Sequence, residues 1–447
     1  MLPQPDFTGD PIPAYLASLA GPAPLTGPLA DDLDTDIAIV GAGFAGLSAA
    51  LHLAEAGIRA TLIDARAIGW GASGRAFGQM APATKLSLQE LEGLLGTERA
   101  ARLDAAAAQG PSLVFDLVHR YHMAAAPTTS GTLVAAHAPR KVAALRRSGQ
   151  ALQKRGFPVH ILEGPEAQAL IGSEAYELAI LDERGGSVNP LGFAWGLARA
   201  AIEHGVVIHT DTPIHALRRN STRWLLETRQ GPIVRARMVI VTANAFAGRL
   251  LPELRRTIIP MRAWQAVSAP LPARLAASIL PSRQTLNDTQ RMPSGIRVHA
   301  DGCLQVGVDG PLFSRDGAVH LAKLNKRLAR LFPSIAPHLQ WRETWGGWAD
   351  MTADNVPHLH KLAPDLFVGV GFGGRGVAMA TSMGRDLALL AQAVPETALG
   401  YPLSEPKALW YHAIARPLVT ALAMRYRIED QWDAWRFDRR RGSMSHA

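Results

Sequence analysis

Three glycines and one aspartate near the N-terminus have the types and spacing of a dinucleotide-binding site. Gly41, Gly43 and Gly46 form the pattern G-x-G-x-x-G, and Asp64 follows 18 residues after the last glycine. In such a turn one glycine permits the tight bend, another lets the backbone approach a pyrophosphate, and the third allows close helix packing. A carboxylate at this distance can accept a hydrogen bond from a ribose hydroxyl. These residues predict a nucleotide cofactor, either FAD or NAD.

The elements around the glycines support this interpretation. Asp36 to Val40 reads as a short apolar strand, and Gly41 to Ala56 has the apolar spacing of a helix. Gly57 ends that helix before a second strand from Ala60 to Ile63. A βαβ unit is therefore favoured over the alternative, a glycine turn beside a merely solvated aspartate.

The rest of the chain alternates helical and strand patterns. Residues 1 to 30 read as an irregular leader. Helical periodicity is expected over 86–153, around a strand-like insert at 128–133, and again over 191–204. Strands are expected at 206–210 and 235–242, an antiparallel sheet over 257–308, and a strand followed by a helix over 366–390.

Composition limits the kinds of protein this chain can be. Its 447 residues are 48% hydrophobic, which suits a globular protein of two or three domains. The single cysteine, Cys303, excludes an intramolecular disulfide and any zinc or iron–sulfur cluster built from cysteines of this chain alone. No N-terminal signal sequence or membrane-spanning run is expected, and the cytoplasm is the default location.

The basic charge is concentrated only at the end of the chain. The net charge is +8, and the segment Arg436 to Arg441 holds four arginines. A solvated helix end is one interpretation of this tail, and a peripheral membrane or partner contact is the other. A nucleic-acid-binding protein would also be basic, but no motif supports one. We expect no nucleic-acid partner.

The segment from Gly69 to Gln79, with the sequence GWGASGRAFGQ, resembles a known family. Together with HLAEAG in the first helix, it is similar to the D-amino-acid oxidase (DAO) superfamily of FAD enzymes, especially the γ-glutamylputrescine oxidoreductase branch. The resemblance continues in order through further segments that span nearly the whole chain: 182–190, the turn at Thr242, Pro260, Thr352 to Asp354 and Gly371 to Gly376.

This resemblance implies an α/β fold with a discontinuous Rossmann-like FAD/NAD(P)-binding domain and an inserted α+β substrate domain built on an antiparallel sheet. The FAD-binding domain would comprise 31–90, 185–255 and 340–398. The substrate domain would comprise 91–184 and 256–339, and 399–447 would form a C-terminal helical extension.

The resemblance also implies which residues contact FAD. Ser73 to Gln79 would run beside the flavin ring, Ile214 would meet the adenine side, and Gly371 to Val377 would cap the pyrimidine end. The full expected set is Gly41, Gly43, Phe44, Ala45, Gly46, Asp64, Ala65, Arg66, Gly71, Ala72, Ser73, Arg75, Phe77, Gly78, Gln79, Ile214, Thr242, Ala243, Gly346, Gly347, Gly373, Gly374, Arg375, Gly376 and Val377.

FAD is expected to be held noncovalently. Relatives with covalent flavin attach it through a cysteine shortly before the Thr-x-Asp motif or through a histidine after the first serine–glycine turn. This chain has Gly347 and Arg75-Ala76-Phe77 in those stretches.

Four residues are expected to act near the reaction. Arg375, in a glycine turn at a helix N-terminus, would stabilise reduced flavin, unless it points to solvent. Phe77 would place a ring next to the flavin face, where the branch usually has glycine. Gln305 aligns with a lysine that assists oxygen reduction in some oxidases, so oxygen is expected to be a poor acceptor compared with a quinone or carrier. Arg297 would bind an anionic group of the substrate, or else tie the two domains together.

The expected reaction is oxidation of a C–N bond in an amine or amino acid. FAD accepts a hydride at N5, and the resulting imine hydrolyses in water. A non-catalytic flavoprotein that serves as a binding or assembly module is the alternative. The branch often has paired tyrosines where this chain has Gly295 and Ile296, which would leave room for a longer or bulkier substrate.

Other sequence patterns bear on metal binding, on the packing of tryptophans and on the class of enzyme. His358 and His360 lack a carboxylate or cysteine at ligand spacing, which favours a surface loop over a metal site, and no metal is expected. Trp341, Trp345 and Trp348 would either wall the active site or form a core stripe. The absence of G-x-S-x-G and of a P-loop sequence argues against a hydrolase or a P-loop enzyme.

Overall fold

The computed structural model describes residues 13–19, 21–292, 294–313 and 319–444, with side chains described between residues 15 and 433. Strands and helices alternate along these ranges. The strands are β1 Leu33–Val40, β2 Ala60–Ile63, β3 Gln79–Met80, β4 Thr132–Ala135, β5 Val159–Glu163, β6 Leu178–Asp182, β7 Gly186–Ser187, β8 Val207–His209, β9 Ile214–Arg219, β10 Trp224–Thr228, β11 Ile233–Val241, β12 Ile259–Pro270, β13 Thr285–Asp288, β14 Ile296–Val298, β15 Cys303–Val308, β16 Trp341–Met351, β17 His358–Ala363 and β18 Leu366–Val370. The α-helices are α1 Pro13–Leu16, α2 Phe44–Glu55, α3 Ala72–Arg75, α4 Leu88–Leu95, α5 Thr97–Arg120, α6 Pro139–Lys154, α7 Pro165–Ile171, α8 Pro190–Glu203, α9 Ala247–Leu250, α10 Ala273–Ser278, α11 Leu321–Leu331, α12 Gly376–Ala391 and α13 Ala415–Met444.

The chain forms two compact units, each built from three segments. Unit 1 comprises Met1–Pro127, Val188–Met261 and Gly347–Ala413, and unit 2 comprises Thr128–Ser187, Arg262–Gly346 and Ile414–Ala447. These boundaries differ from the expected ones chiefly in two places. Residues 91–127, which include most of α4 and all of α5, fall in unit 1, and α13 falls in unit 2.

Unit 1 is built on the parallel sheet that the glycine motif predicts. Its main strand order is β17-β18-β11-β1-β2-β8, and β9 and β10 form a hairpin beside β11. Strands β18, β11, β1, β2 and β8 run parallel to one another, and β17 at the edge is antiparallel to β18. Ile37 to Val40 in the central strand are buried, as expected for a strand with both faces covered.

Helix α2 packs closely against α12 in unit 1 because a glycine lies at their contact. A Cβ on Gly384 would overlap the carbonyl of Ala45 and would lie 2.6 Å from the Cβ of Ser48. The hydroxyl of Ser48 donates to the carbonyl of Thr381 at 2.7 Å. The first helix of the nucleotide unit is therefore held by a helix more than 300 residues later in the sequence.

Unit 2 contains the predicted sheet, with strand order β16-β12-β15-β14-β13-β4-β6-β5. Strand β4 runs parallel to β13, whereas β12 with β15, β15 with β14, β14 with β13, β4 with β6 and β6 with β5 form antiparallel pairs. Apolar side chains of one sheet face and of α11 form the core of this unit, among them Leu133, Leu286, Ile296, Val306 and Leu328.

The N-terminal leader is more ordered than expected. Pro13–Leu16 forms one helical turn, and Tyr15 is fully buried. Its hydroxyl donates to the carbonyl of Ala76 at 2.6 Å, and its own carbonyl accepts from the side-chain amide of Asn189 at 3.2 Å. The proline-rich composition predicted an irregular segment and gave no sign of this anchor. A single buried aromatic residue is enough to fix such a segment. Residues 1–12 of the leader lie outside the described residues.

The helix α13 is attached to unit 2 by buried charges. Asp430 accepts hydrogen bonds from the backbone N–H groups of Arg291 and Met292, and the guanidinium of Arg291 lies 2.8 Å from its carboxylate. Asp433 pairs with Arg291, with Arg140 and, at 3.4 Å, with His137. His137, Asp430 and Asp433 are close enough to share a cation, but the two arginines already neutralise the carboxylates. We therefore assign this cluster to helix attachment.

No helix within the described ranges is long and apolar enough to cross a membrane.

Candidate functional site

The turn between β1 and α2 explains why glycine occupies its three motif positions. Gly41 has a φ of +117°, a conformation that side-chain-bearing residues rarely adopt. A Cβ on Gly46 would overlap the carbonyl of Gly41, and one on Gly43 would lie 2.9 Å from the hydroxyl of Ser73. Thr242, which follows β11, donates to the Gly41 carbonyl at 3.0 Å. Because the three motif positions carry no side chains, a pyrophosphate could approach the backbone at the N-terminus of α2. Phe44 and Ala45 lie in the first turn of this helix.

The segment expected beside the flavin ring meets this turn. The hydroxyl of Ser73, in α3, accepts the N–H of Phe44 at 3.0 Å. A Cβ on Gly347 would lie 3.2 Å from the Cβ of Arg75 and 3.9 Å from the Cα of Ala72. A Cβ on Gly71 would meet no atom within 4 Å. Residues predicted from distant segments thus lie close together in unit 1.

Asp64 lies at the carboxyl end of β2, where the motif requires an acceptor. Its carboxylate accepts the N–H of Ala42 at 2.6 Å and that of Arg66 at 2.8 Å. Burial raises the pKa of Asp64 to about 6, and these two hydrogen bonds and the nearby Asp211 shift it by smaller amounts. A carboxylate has about four lone-pair sites, so two remain for ribose hydroxyls.

The residues expected on the adenine side are near Asp64 along the backbone. The N–H of Thr212 donates to the Asp64 carbonyl at 2.9 Å, and Ile214 begins β9 two residues later. Ile214 and Ala243 are half-buried and pack against one hydrophobic cluster of unit 1. Ala65 is half-buried next to Asp64.

A second glycine turn precedes α12. Gly371, Gly373 and Gly374 have φ values of +91°, +56° and +87°, so this turn depends on three left-handed glycines. The buried carboxylate of Asp350 accepts the N–H groups of Gly371 at 2.5 Å and Phe372 at 3.1 Å. Gly376 and Val377 then begin the helix. Asp350 therefore fixes the turn that was expected to cap the flavin.

Two cations lie at this turn. Arg375 is half-buried and its guanidinium donates to the carbonyl of Ala83 at 2.7 Å, so it does not simply point to solvent. The Nζ of Lys85 lies 2.9 Å from the position that a Cβ on Gly373 would take. Although Lys85 as a whole is exposed, loss of water around its ammonium and the charge of Arg375 lower its pKa to about 8, while Asp350 opposes that shift. Burial also lowers the pKa of Arg375.

Sequence reasoning did not identify Lys85. It is separated from Gly373 by nearly 300 residues, and it belongs to none of the motifs. Its position shortly after the Ser73 to Gln79 segment was the only available signal.

The residues of unit 1 fit FAD. The glycine cradle at α2 offers backbone N–H groups to a pyrophosphate, and Asp64 offers oxygens to a ribose. The cations at the start of α12 suit the end of a flavin that becomes negative on reduction. The pyrophosphate, the ribose and the reduced flavin of FAD would therefore each find a suitable group on the predicted elements.

Four other residues were expected to contact FAD: Phe77, Gly78, Gln79 and Gly346. Phe77 and Gln79 are half-buried in the segment after α3, and Gly78 between them has a φ of +86°. Gly346 belongs to unit 2, where its carbonyl accepts from the guanidinium of Arg262 at 2.9 Å.

Unit 2 holds a buried polar ladder on neighbouring strands. Arg297 on β14 lies directly opposite Gln305 on β15, and its Nε donates to the Gln305 side-chain oxygen at 2.8 Å. The same oxygen lies 2.7 Å from the Nε2 of His299, and the Gln305 amide nitrogen donates to Gln265. Burial and the charge of Arg297 lower the pKa of His299 to about 3, so this imidazole is neutral. Arg297 is thus the cation of a polar cluster in which Gln305 is fully buried.

The prediction that His358 and His360 lie in a surface loop is wrong. Both lie on β17, and their rings are stacked with centroids 5.4 Å apart. Nδ1 of His358 lies 3.0 Å from the Ser404 hydroxyl, and Nδ1 of His360 lies close to the Ser404 carbonyl. Nε2 of His358 lies 3.2 Å from the Asp354 carboxylate. Burial lowers the pKa of His360 to about 4.

The three tryptophans lie on a strand, so their spacing is not a helical stripe. Trp341, Trp345 and Trp348 belong to β16, and the last two are buried. The indole N–H of Trp341 donates to the side chain of Asn325 at 2.8 Å. Because side chains alternate along a strand, Trp341 and Trp345 share a face that Trp348 does not.

Ile296 does not contribute to the space expected from Gly295 and Ile296, because it is fully buried in the core of unit 2. Successive side chains of β14 point to opposite faces of the sheet, so Ile296 and Arg297 cannot line the same opening.

Known proteins support the same architecture. A family model described as FAD dependent oxidoreductase (DAO) matches residues 36–390. A γ-glutamylputrescine oxidoreductase of Escherichia coli strain K12 is 27% identical over 84% of this chain and 88% of its own length. A probable oxidoreductase, OrdL, of Haemophilus influenzae is 24% identical over 81% of this chain and 84% of its own length. Among solved structures, glycine oxidase from Geobacillus kaustophilus superposes with a TM-score of 0.70 at 23% identity, over 81% of this chain and 96% of its own.

Proposed function

The chain belongs to the DAO family of FAD-dependent oxidoreductases, and on that basis we propose that it oxidises a C–N bond in an amine or amino acid that carries an anionic group. The expected FAD cofactor and DAO-type fold are confirmed by the family match. The identity of the substrate is the part that we propose here.

Bound FAD supplies the acceptor for a hydride from the carbon that bears the nitrogen. The protein has to bind the amine in its neutral form, because the nitrogen lone pair then drives hydride loss and no catalytic base is obligatory. Released imine hydrolyses in water. The task of this chain is therefore to orient the substrate and to hold the charge that develops.

The pair of cations at the second glycine turn is the observation that carries this proposal. Arg375 is fixed by Ala83 at the start of α12, and the ammonium of Lys85 lies against Gly373 in the same turn. A helix N-terminus and two cations favour negative charge in the same region. They would stabilise a flavin that has accepted a hydride, and so favour oxidation of the substrate.

The anionic character of the substrate rests on Arg297. Arg297 is a buried cation, and its Nε donates to the side-chain oxygen of the uncharged Gln305. A planar fork of donors matches a carboxylate or phosphonate. The names of two similar proteins, a γ-glutamylputrescine oxidoreductase and a glycine oxidase, refer to amines that carry a carboxylate.

We also propose an electron acceptor other than oxygen. Gln305 occupies the position where some oxidases of the family have lysine, and its side chain is fully engaged with Arg297, His299 and Gln265. It offers no charge to stabilise superoxide. A quinone or a protein carrier would then receive the electrons.

Anaerobic mixing of the purified holoenzyme with amines, amino acids and polyamines, followed by flavin absorbance, tests the function. Amines with a carboxylate should bleach the flavin faster than uncharged monoamines of equal length. A flavin that only dithionite reduces would contradict amine oxidation. In a separate assay in air-saturated buffer, hydrogen peroxide formed as fast as the flavin is reduced would contradict the proposed acceptor.

A further inference from the structure

The helix α13 packs with its polar side inward. Asp430 and Asp433 are buried and form ion pairs with Arg291. Ala423, about two turns earlier in the helix, is also buried. Arg427 lies on the same side, 3.6 Å from the carboxylate of Asp309. All of these partners belong to unit 2. A surface helix of a globular protein normally turns its apolar stripe toward the core, so this arrangement is inverted.

The apolar side chains of α13 face solvent. Five of them have exposed fractions between 41% and 64%: Leu418, Leu422, Met424, Ile428 and Trp432. At 3.6 residues per turn they lie within an arc of about 160°. Ile414 and Trp410, just before the helix, are exposed as well. These seven residues make up more than half of the large hydrophobic side chains that are exposed in the described part of the chain.

This surface does not contribute to the fold. Exposed single leucines are ordinary, but five exposed apolar side chains on one side of a helix, interrupted by the Arg425–Glu429 pair, mark a surface that is covered in function. The buried ion pairs, not the apolar residues, hold the helix on unit 2. The apolar residues therefore serve a contact outside the chain.

The charge of the helix indicates which partner covers it. Asp430 and Asp433 are buried, the partly exposed Glu429 pairs with the exposed Arg425 at 2.8 Å, and Arg416 is exposed. The last turns of the helix include Arg436, Arg439, Arg440 and Arg441 in their sequence, although those side chains lie outside the described ones. Pairing of two copies through this surface would bring basic helices together, whereas anionic phospholipid headgroups would neutralise them.

We propose that α13 docks on an anionic phospholipid surface, with the stripe from Leu418 to Trp432 entering the headgroup region and the basic end of the helix contacting the headgroups. An amphipathic helix with leucine and tryptophan on one side and arginine at its end has the composition of an interfacial helix. The helix lies on the membrane in this arrangement and does not cross it. The interaction is independent of which amine is oxidised.

Vesicle sedimentation of the full-length holoenzyme tests the proposal. Wild type should sediment with phosphatidylcholine vesicles that contain about 30% phosphatidylglycerol, and much less with pure phosphatidylcholine. Binding should weaken in about 0.5 M NaCl, because salt screens the headgroup charge. The double variant Leu418→Ser, Ile428→Ser should bind about tenfold or more weakly, since two apolar side chains no longer leave water.

Matched variants distinguish docking from general loss of hydrophobicity. Leu94→Ser removes an exposed leucine of α4, which is 56% exposed, and should leave vesicle binding unchanged. Replacement of the four arginines from Arg436 to Arg441 by glutamine should weaken binding and remove its salt dependence. The proposal is overturned if wild type ignores anionic vesicles or if the double variant binds like wild type. It is also overturned if light scattering shows a wild-type dimer that the double variant loses, since a second copy would then cover the stripe.

Discussion

The guanidinium of Arg375 donates a hydrogen bond to the backbone carbonyl of Ala83 at 2.7 Å. Ala83 follows the segment from Ser73 to Gln79, which was expected beside the flavin ring. The hydrogen bond therefore joins that part of the chain to the glycine turn at the start of α12. It also brings Lys85, two residues after Ala83, against Gly373.

Arg375→Ala should lower the midpoint potential of the flavin. The variant removes a positive charge from the N-terminus of α12, and so removes stabilisation of the reduced, negatively charged cofactor. A loss of about 1–2 kcal/mol corresponds to a decrease on the order of 20–40 mV for a two-electron couple. Dye-linked potentiometry measures the change, and Arg375→Lys should retain part of the potential. An unchanged potential in the alanine variant would exclude the role.

The flavin potential should depend on pH through Lys85. With a pKa of about 8, its ammonium is charged below that pH and stabilises reduced flavin, and this stabilisation is lost as the pH rises through 8. Lys85→Gln should therefore lower the potential at neutral pH and have little effect near about pH 9.5. Lys85→Arg keeps the charge and should remove only the part of the pH dependence that titration of Lys85 contributes. Equal effects of glutamine at both pH values would contradict this assignment, and would leave Arg375 and Asp350 as the groups to test.

FAD affinity should fall as the pH falls through about 6. In the cofactor-free protein the raised pKa of Asp64 means that its carboxyl is protonated below that pH, and a protonated carboxyl loses acceptor capacity for the ribose. One-proton linkage limits the fall to about tenfold per pH unit. Asp64→Asn should weaken FAD binding by about 10- to 100-fold and flatten this pH dependence. Fluorescence titration measures both, and a pH dependence that survives in the variant would point to Asp350, whose pKa is also about 6.

Arg297→Lys should raise KM for anionic amines while the protein keeps its FAD and its Tm. Lysine preserves the charge but not the planar fork, so a bidentate contact is lost, at a cost of about tenfold or more in KM. Arg327→Lys is the matched control, because Arg327 in the same unit is bound to the buried carboxylate of Asp288 at 3.0 Å. That variant should lower Tm without a selective effect on KM. Loss of flavin or of fold in Arg297→Lys, or a preference of wild type for uncharged monoamines, would remove Arg297 from substrate binding.

Acid precipitation should release the yellow colour into the supernatant. No cysteine or histidine occupies the stretches around Arg75 or Gly347 that carry covalent flavin in relatives. Cys303 is buried, and burial raises the pKa of its thiol to about 11, which makes it a poor nucleophile. Colour that stays with the precipitated protein would show a covalent link.

The nucleotide-binding part of the site was predictable because its signals are local. Gly41, Gly43 and Gly46 are spaced by the geometry of one turn, and Asp64 follows at the end of the next strand. Arg375 was also predictable, because its glycine turn leads directly into a helix. The alternation of Ile296 and Arg297 follows from strand periodicity alone, and attention to that period would have placed Ile296 in the core.

Features that depend on distant contacts were not predictable. The closeness of Lys85 to Gly373 arises from tertiary packing, and no spacing in the sequence encodes it. His360 looked like a loop residue because its burial depends on pairing of β17 with β18 and on Ser404, 44 residues later. The anchoring of Tyr15 under Ala76 has the same cause.

The turn held by Asp350 bears on how the enzyme acquires its cofactor. Its N–H groups at Gly371 and Phe372 are already fixed by the Asp350 carboxylate. Because the loop does not have to be ordered by the incoming nucleotide, little conformational entropy is lost when the two associate. Preorganisation of this kind adds to the affinity for the cofactor.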